Sequence, residues 1–370
     1  MRSGLLEARL RGMMVAVRVA YTLEQCWHRV PGGTGVAAMR VAEAMAAQAD
    51  VTLLGVAGRH SHVPSEPWSP AIPIAHLPIG GPLLYDLWLR RNWPKVERAT
   101  GPVDVAHSTT LIPCASDAPM IVTVHDLAFL HDPSQFTRRG NSIFRRSLDQ
   151  TRRRADLVLC SSNATMDDCA AAGLPADRLR LVPLGVDVAK VDADESARVV
   201  ALYRLPQRYL LFVGTVEPRK KLRGLVEAVS RLDEPLPLVV AGAEGWGDVD
   251  IPPGGDVRFI GFVPAADLAG LYAGAEVFCY PSEREGYGLP VLEAMAQGTP
   301  VVTSRGTATE EAAGGAAVLV DPLDPDDIAR GITEAGIRRE ALSVDGVARA
   351  DRATWRETAR LTADAYRELC

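Results

Sequence analysis

Val277-Phe278-Cys279-Tyr280-Pro281-Ser282-Glu283-Arg284-Glu285-Gly286-Tyr287-Gly288-Leu289-Pro290-Val291-Leu292-Glu293-Ala294-Met295-Ala296-Gln297-Gly298-Thr299-Pro300-Val301-Val302 reads as buried strand, glycine-rich loop, short helix and second strand. The apolar run Val277–Tyr280 stops at Pro281, which cannot continue a ladder. Pro290 suits the first turn of a helix, where its missing N–H costs nothing. Gly298 closes that helix and Pro300 prevents its continuation. A helix start behind a flexible loop offers unpaired N–H groups and a positive dipole end, both suited to phosphate. Gly286 and Gly288, with Tyr287 and Leu289 around them, would let a diphosphate approach the backbone closely. Glu293 is expected in the first helical turn, where a carboxylate is electrostatically comfortable. Its two oxygens can take both hydroxyls of a ribose. Glu285 cannot face a diphosphate alone, because two anions repel; it needs hydroxyl donors such as those of a sugar. The stretch therefore asks for phosphates, a vicinal diol and further hydroxyls, the combination found in a nucleotide sugar.

Working outward, strands and helices alternate along the chain. Strands are expected at Val15–Tyr21, Val51–Val56, Val103–His107, Met120–His125 and Leu157–Cys160, with a helix from about Gly35 to Gln48. A second run begins at Tyr209–Gly214 and continues through Leu238–Gly242, Val257–Gly261, Val277–Tyr280 and Pro300–Ser304. This predicts an α/β protein of two doubly wound, Rossmann-like domains facing a central cleft. The expected bounds are 1–190 for an N-terminal acceptor-side domain and 191–345 for a nucleotide-sugar domain. A C-terminal helix, 346–370, completes the chain. The hinge is placed in Gly185–Leu205, which lacks a strand pattern. Residues before Met13 read as an extension. At 370 residues, one core is too few. A formal charge of −6 argues against a general nucleic-acid binder. No apolar run approaches the ~20 residues that span a bilayer. Six cysteines without a Cys-x-x-Cys pair fit reduced thiols in a cytoplasmic protein.

Other segments add charge and turns. Val213-Gly214-Thr215-Val216-Glu217-Pro218-Arg219-Lys220-Lys221 follows a strand, and Arg219 and Lys220 can neutralise a diphosphate leaving group; the alternative is a solvated basic helix start. Gly32-Gly33-Thr34-Gly35-Val36-Ala37-Ala38 fits a dinucleotide fingerprint only in isolation, because ten residues, Thr22 to Pro31, separate it from the strand. Val122-Thr123-Val124-His125-Asp126 ends a strand with a His-Asp pair. His107 also ends a strand, and its reading stays open between site and structure. Arg138-Arg139, Arg145-Arg146 and Arg152-Arg153-Arg154 recur every seven residues. They form a basic face that is solvated, lines the cleft, or meets an anionic membrane surface. Leu83-Leu84-Tyr85, Trp88 and Trp93 read as packing, the alternative being a segment that reaches an apolar acceptor.

Together these segments resemble the retaining family 4 glycosyltransferases of the GT-B type, whose Glu-x7-Glu signature matches Glu285 and Glu293. The resemblance covers most of the chain and looks closest to bacterial mannosyl- and rhamnosyltransferases of surface polysaccharide synthesis. It implies that Gly214, Arg219 and Lys220 meet the donor phosphates and that Gly33 and Gly35 lie beside donor and acceptor. It further implies that His125 and Glu285 grip the transferred sugar and that Phe262 and Val263 present backbone to the nucleobase. Glu311 matches a further family glutamate, read as structural. Many relatives carry an arginine where Thr215 stands. The expected activity is transfer of a hexose, with GDP-mannose as first choice of donor, to a glycan or lipid-linked acceptor. No cofactor and no metal are expected, since Asp248-Val249-Asp250 lies in a polar loop rather than at a strand end. The protein would work in the cytoplasm or peripherally at the inner membrane face. The alternatives are a nucleotide-sugar epimerase and a non-catalytic partner subunit.

Overall fold

The structure, a computed structural model, describes residues 16–28, 31–64, 67–187, 189–243 and 255–370. The expected extension before Met13, the residue Val15 and the Asp248–Asp250 loop lie outside the described residues. Seven strands form a parallel sheet in the order β3-β2-β1-β4-β5-β6-β7: β1 (Val17–Thr22), β2 (Val51–Ala57), β3 (Ile74–His76), β4 (Val105–Ser108), β5 (Met120–Val124), β6 (Leu157–Cys160) and β7 (Leu179–Leu181). Six more form a second, in the order β10-β9-β8-β11-β12-β13: β8 (Leu210–Val213), β9 (Leu238–Ala241), β10 (Val257–Gly261), β11 (Val277–Tyr280), β12 (Val301–Ser304) and β13 (Val318–Val320). Every described pairing within the two sheets is parallel. Strands such as Leu157–Cys160, Leu238–Ala241 and Val277–Tyr280 are buried throughout, as expected where helices cover both faces.

The strand order reverses between β1 and β4 in one sheet and between β8 and β11 in the other, and such switch points open ligand crevices at the carboxyl ends of the strands. The segment Gly214–Lys220 follows β8 and the loop Pro281–Gly288 follows β11. The two segments therefore flank one switch point.

The Gly185–Leu205 segment is not uniformly extended. Ala193–Leu202 is a helix capped by Asp192, and it packs on Ala265–Gly274 of the second sheet's layer. Val199 fills the space that a side chain at Gly270 would need. At the C-terminus, Arg339–Ala350 packs on Leu289–Ala296, and Trp355–Glu368 packs on Gly32–Met45 beside β1. Val186 donates to Ala353 O at 2.9 Å, so two crossings of the chain run side by side. Tyr366 and Trp355 are buried there, and Arg367 makes a bidentate pair with Asp50 at 2.7 and 2.8 Å.

Candidate active site

The second sheet supplies a dense polar cluster. Glu285 Oε1 accepts from Lys220 Nζ at 2.7 Å, Tyr280 Oη at 2.9 Å and Ser282 Oγ at 2.8 Å, and lies 2.8 Å from Arg219 Nη1. Arg219 also donates to Glu217 at 2.8 Å and to the Arg284 carbonyl at 2.7 Å. Thr215 Oγ1 donates to the other oxygen of Glu217. Thr215, the buried Glu217 and Arg219 thus form a hydroxyl–carboxylate–guanidinium relay that orients Arg219. Burial would raise the Glu285 carboxyl, but the charges of Lys220 and Arg219 outweigh it and hold it well below the usual range. Burial likewise opposes the Arg219 charge, and Glu285 and Glu217 reverse that. The result is an ionised carboxylate with little basicity, bound through one oxygen. Its Oε2 has no hydrogen-bond partner among the described residues.

Arg219 and Lys220 sit in a single 3-10 turn, Pro218–Lys220, after β8. Lys220 packs against Gly214, whose φ of +148° favours glycine and brings the turn back over the strand end. Gly288, with φ +116°, caps the helix Leu289–Ala296. Glu293 therefore stands in the second turn and not the first: the helix begins at Leu289, and the left-handed Gly288 delays its start. Its placement rests instead on Tyr272, whose hydroxyl donates to Oε2 at 2.9 Å. Burial raises the Glu293 pKa, the Tyr272 bond partly offsets this, and nearby Asp187 adds to it. Asp187 is in turn paired with Arg40 at 2.9 Å, on the helix that starts at Gly32.

The first sheet contributes His125 at the end of β5. Its Nε2 lies 3.2 Å from the Thr109 carbonyl, which can only accept, so the proton sits on Nε2 and Nδ1 remains an acceptor. Burial lowers the His125 pKa, only partly offset by that bond and by Asp126, which favours the neutral ring. The Gly286 backbone is packed against His125: a side chain at Gly286 would run into the His125 carbonyl oxygen. Ser161 and Ser162 hydroxyls donate to Gly286 O at 2.9 Å each. Arg219, Lys220, Gly214, Glu285, Gly286 and His125 are thus brought together, with Tyr287, Gly288 and Leu289 continuing the loop. Glu293 lies one helical turn beyond. No described polar contact joins Gly33 or Gly35 to this cluster; Gly35 packs on Pro31 and Trp68. Val263 is buried, whereas Phe262 is exposed.

His107 resolves as structural. It is buried between Tyr366 Oη at 2.7 Å and Thr123 Oγ1 at 2.8 Å, and burial pushes its pKa down to about 3. Glu217, Tyr280, Ser282, Tyr272 and the Ser161–Ser162 pair were not singled out from sequence. Glu217 was within reach, lying two residues before Arg219; the serines were not, because their partner is 125 and 124 residues away. Arg154 is not on the solvated face of its helix, since its guanidinium donates to Asn92 Oδ1 at 2.7 Å and to backbone carbonyls. Among the described residues no group of three or more His, Cys, Asp or Glu could hold a metal and no helix is long and apolar enough to cross a membrane, and Cys26, Cys114, Cys160, Cys169 and Cys279 are buried thiols.

Two doubly wound parallel sheets of seven and six strands, with charged loops at a switch point, define the GT-B fold. HepE of Anabaena, crystallised with UDP and glucose, superposes with a TM-score of 0.73 over 95% of this chain and 100% of its own, at 16% identity. WaaG, a glycosyltransferase involved in lipopolysaccharide biosynthesis, gives 0.67 over 94% and 99%, also at 16% identity. Residues 31–190 match the model of Glycosyltransferase Family 4, and residues 207–335 match that of Glycosyl transferases group 1. The O-antigen chain mannosyltransferase B of Escherichia coli is 33% identical over 267 residues, 67% of this chain and 70% of that protein. The serotype-specific mannosyltransferase WbdA of the same species is 28% identical over 70% of this chain, which spans only 35% of its length. The chain belongs to the family 4, group 1 glycosyltransferases.

Proposed function

We propose that the protein is a retaining mannosyltransferase that uses GDP-mannose and delivers the sugar to a hydroxyl of a glycan or lipid-linked acceptor. The observation that carries this reading is the Lys220–Arg219–Glu285 cluster at the β8/β11 switch point, in a chain similar to an O-antigen mannosyltransferase. Glu293, with Oε2 held by Tyr272, would take the ribose hydroxyls on Oε1. The diphosphate would meet Lys220, Arg219 and the N–H groups behind Gly288. These groups neutralise the charge that grows on the leaving group as the glycosidic bond breaks. Glu285 Oε2 and His125 Nδ1 would each accept a hydrogen bond from a sugar hydroxyl.

The depressed Glu285 pKa makes this carboxylate a weak base and a weak nucleophile. That supports a front-face route, in which the departing diphosphate itself takes the acceptor's proton and the configuration is retained. The exposed Arg138, Arg139 and Arg145 support peripheral contact with an anionic membrane surface for a lipid-linked acceptor. The test is a thermal-shift titration with GDP, UDP and ADP, with and without EDTA, followed by transfer assays with the matching sugars. A ligand at a hundred times its dissociation constant should add about 2.7 kcal/mol. A metal-independent shift with GDP and an α-linked mannosyl product are expected. A shift with UDP alone would overturn the donor, and an inverted product the route.

A further inference from the structure

The carboxylate of Glu311 belongs to the helix Ala308–Ala313 of the second domain but spends its hydrogen bonds in the first. Its Oε2 accepts the Asn163 backbone N–H at 2.7 Å and the Asn163 side-chain amide at 2.8 Å. Its Oε1 accepts the Ala164 N–H at 2.8 Å. Asn163 and Ala164 open the helix Asn163–Ala171, and N–H groups at a helix start have no partner within the helix. Ser162 caps the same helix from within its own domain by accepting the Thr165 N–H at 3.1 Å. Glu311 takes the donors that this local cap leaves over, at the positive end of the helix dipole.

The same helix start holds the sugar-side loop. Ser161, Ser162 and Thr165 offer their hydroxyls to Gly286 O at 2.9, 2.9 and 3.3 Å. Thr165 Oγ1 also lies 3.1 Å from His125 O, so it sits between the two strand-end segments that face each other across the cleft. Arg284 reaches Asp168 on this helix at 3.5 Å. One short helix thus touches the second domain at two places, Glu311 on one side and the Arg284–Gly286 backbone on the other. No ion pair of the Glu311 carboxylate within its own domain is described.

We infer that Glu311 is a positioning residue for the transfer: it fixes the two domains in the relation that sets His125 against Glu285 and Gly286. The inference rests on the donor-site reading given above. On that reading the groups assigned to nucleotide and diphosphate, Glu293, Arg219, Lys220 and the N–H groups behind Gly288, all belong to the second domain, so losing this contact should leave donor binding intact. What is lost is the alignment of the donor sugar with the first domain, and a misplacement of about 1 Å costs on the order of a hundredfold in rate.

The experiment compares full-length Asn163→Ala, Glu311→Gln and Glu311→Ala with the parent protein. It reads nucleoside-diphosphate affinity by calorimetry, kcat and KM for transfer, and radius of gyration by solution scattering. Asn163→Ala removes one of three bonds, Glu311→Gln turns one acceptor into a donor facing an N–H, and Glu311→Ala removes all three. The expected result is a graded fall in kcat/KM, about tenfold or more for Glu311→Ala, with nucleotide affinity unchanged and a larger radius of gyration. Wild-type transfer by Glu311→Ala would overturn the inference. So would a parallel loss of nucleotide affinity across the series, which would place the role of Glu311 in folding its own domain. If the parent protein bound no nucleoside diphosphate, the donor-site reading would fail. Scattering would then decide the inference by itself, since an unchanged radius in Glu311→Ala overturns it.

Discussion

Each domain carries a glycine-rich turn at the entry to a helix, and the two are built in opposite ways. At Gly32 and Gly33 an added methyl group would meet nothing within 4 Å. At Gly286 it would strike the His125 carbonyl of the other domain, and at Gly288 the backbone has φ +116° with Thr309 close by. Both loops turn left-handed at one glycine, Gly32 with φ +60° and Gly288 with φ +116°, but only at Gly286 does backbone of the other domain occupy the space. Gly32 and Gly33 have room in front of them, whereas Gly35 is closed only by Pro31 and Trp68 of its own domain, and room is what a ligand or an ordinary helix entry would equally use. The electrostatics divide the same way: a buried carboxylate with four donors beside Gly286, and no described polar contact from Gly33 into that cluster. Two similar glycine patterns in one chain thus answer to different constraints, and substitution separates them.

The largest effect is expected from Glu285→Ala. Transfer should fall by roughly a hundredfold or more, as when a preorganised transition-state contact is removed. Breaking a buried ion pair also costs about 3–5 kcal/mol of stability. Calorimetry and single-turnover assays would read both, and near-normal turnover would remove Glu285 from the sugar site. Gly286→Ala comes next: it should lower transfer by about a hundredfold through displaced alignment, while nucleotide affinity holds. If Gly33→Ala proved equally damaging, the contrast between the loops would break. It is expected to leave stability almost unchanged, because the position is open, and any loss confined to kcat/KM would assign the first loop to a ligand.

Glu293→Ala should weaken nucleotide binding about tenfold, the worth of one charge-assisted hydrogen bond of roughly 1.5–3 kcal/mol. A titration of affinity against pH sharpens this. The Glu293 pKa is raised above its ordinary 4.5, so its carboxylate is lost, and affinity with it, as pH falls through that raised value. Glu293→Gln should abolish this dependence. Stability responds in the same sense at Glu285, but at lower pH. Its pKa is depressed, so its contribution is fully present above 4.5 and is lost only as pH falls towards the depressed value. The last expected signal, confined to acid pH, is at His107. Its pKa is lowered from 6.5 to about 3, so stability should decline as pH drops from 6.5, where the unfolded ring begins to take up its proton. Urea midpoints across that range, compared with a His107→Gln variant, would show it.

Much of the architecture was legible because parallel strands buried on both faces leave continuous apolar runs. Leu157–Cys160, Val257–Gly261 and Val277–Tyr280 matched their expected limits. The strands Ile74–His76, Leu179–Leu181 and Val318–Val320 were not read. Three residues carry no period, and these strands are fixed by their pairing with a neighbour. The helix Ala193–Leu202 inside the expected hinge was hidden by its polar exposed face, and only its packing on Ala265–Gly274 reveals it.

By itself the sequence determined that two α/β sheets would form, that a charged glycine loop would follow one strand, and that Glu285 and Glu293 would stand eight residues apart around it. Local propensity and strand burial act over short stretches of chain and are written there. Only the tertiary structure decided that Glu285 would be neutralised by Lys220 and Arg219, that Tyr272 would orient Glu293, and that His107 would be sealed by Tyr366. It alone set Gly286 and Glu311 against the first domain. Those outcomes depend on groups 21 to 259 residues apart meeting within hydrogen-bonding distance. Such meetings are settled by how the sheets pack together, which no local pattern records.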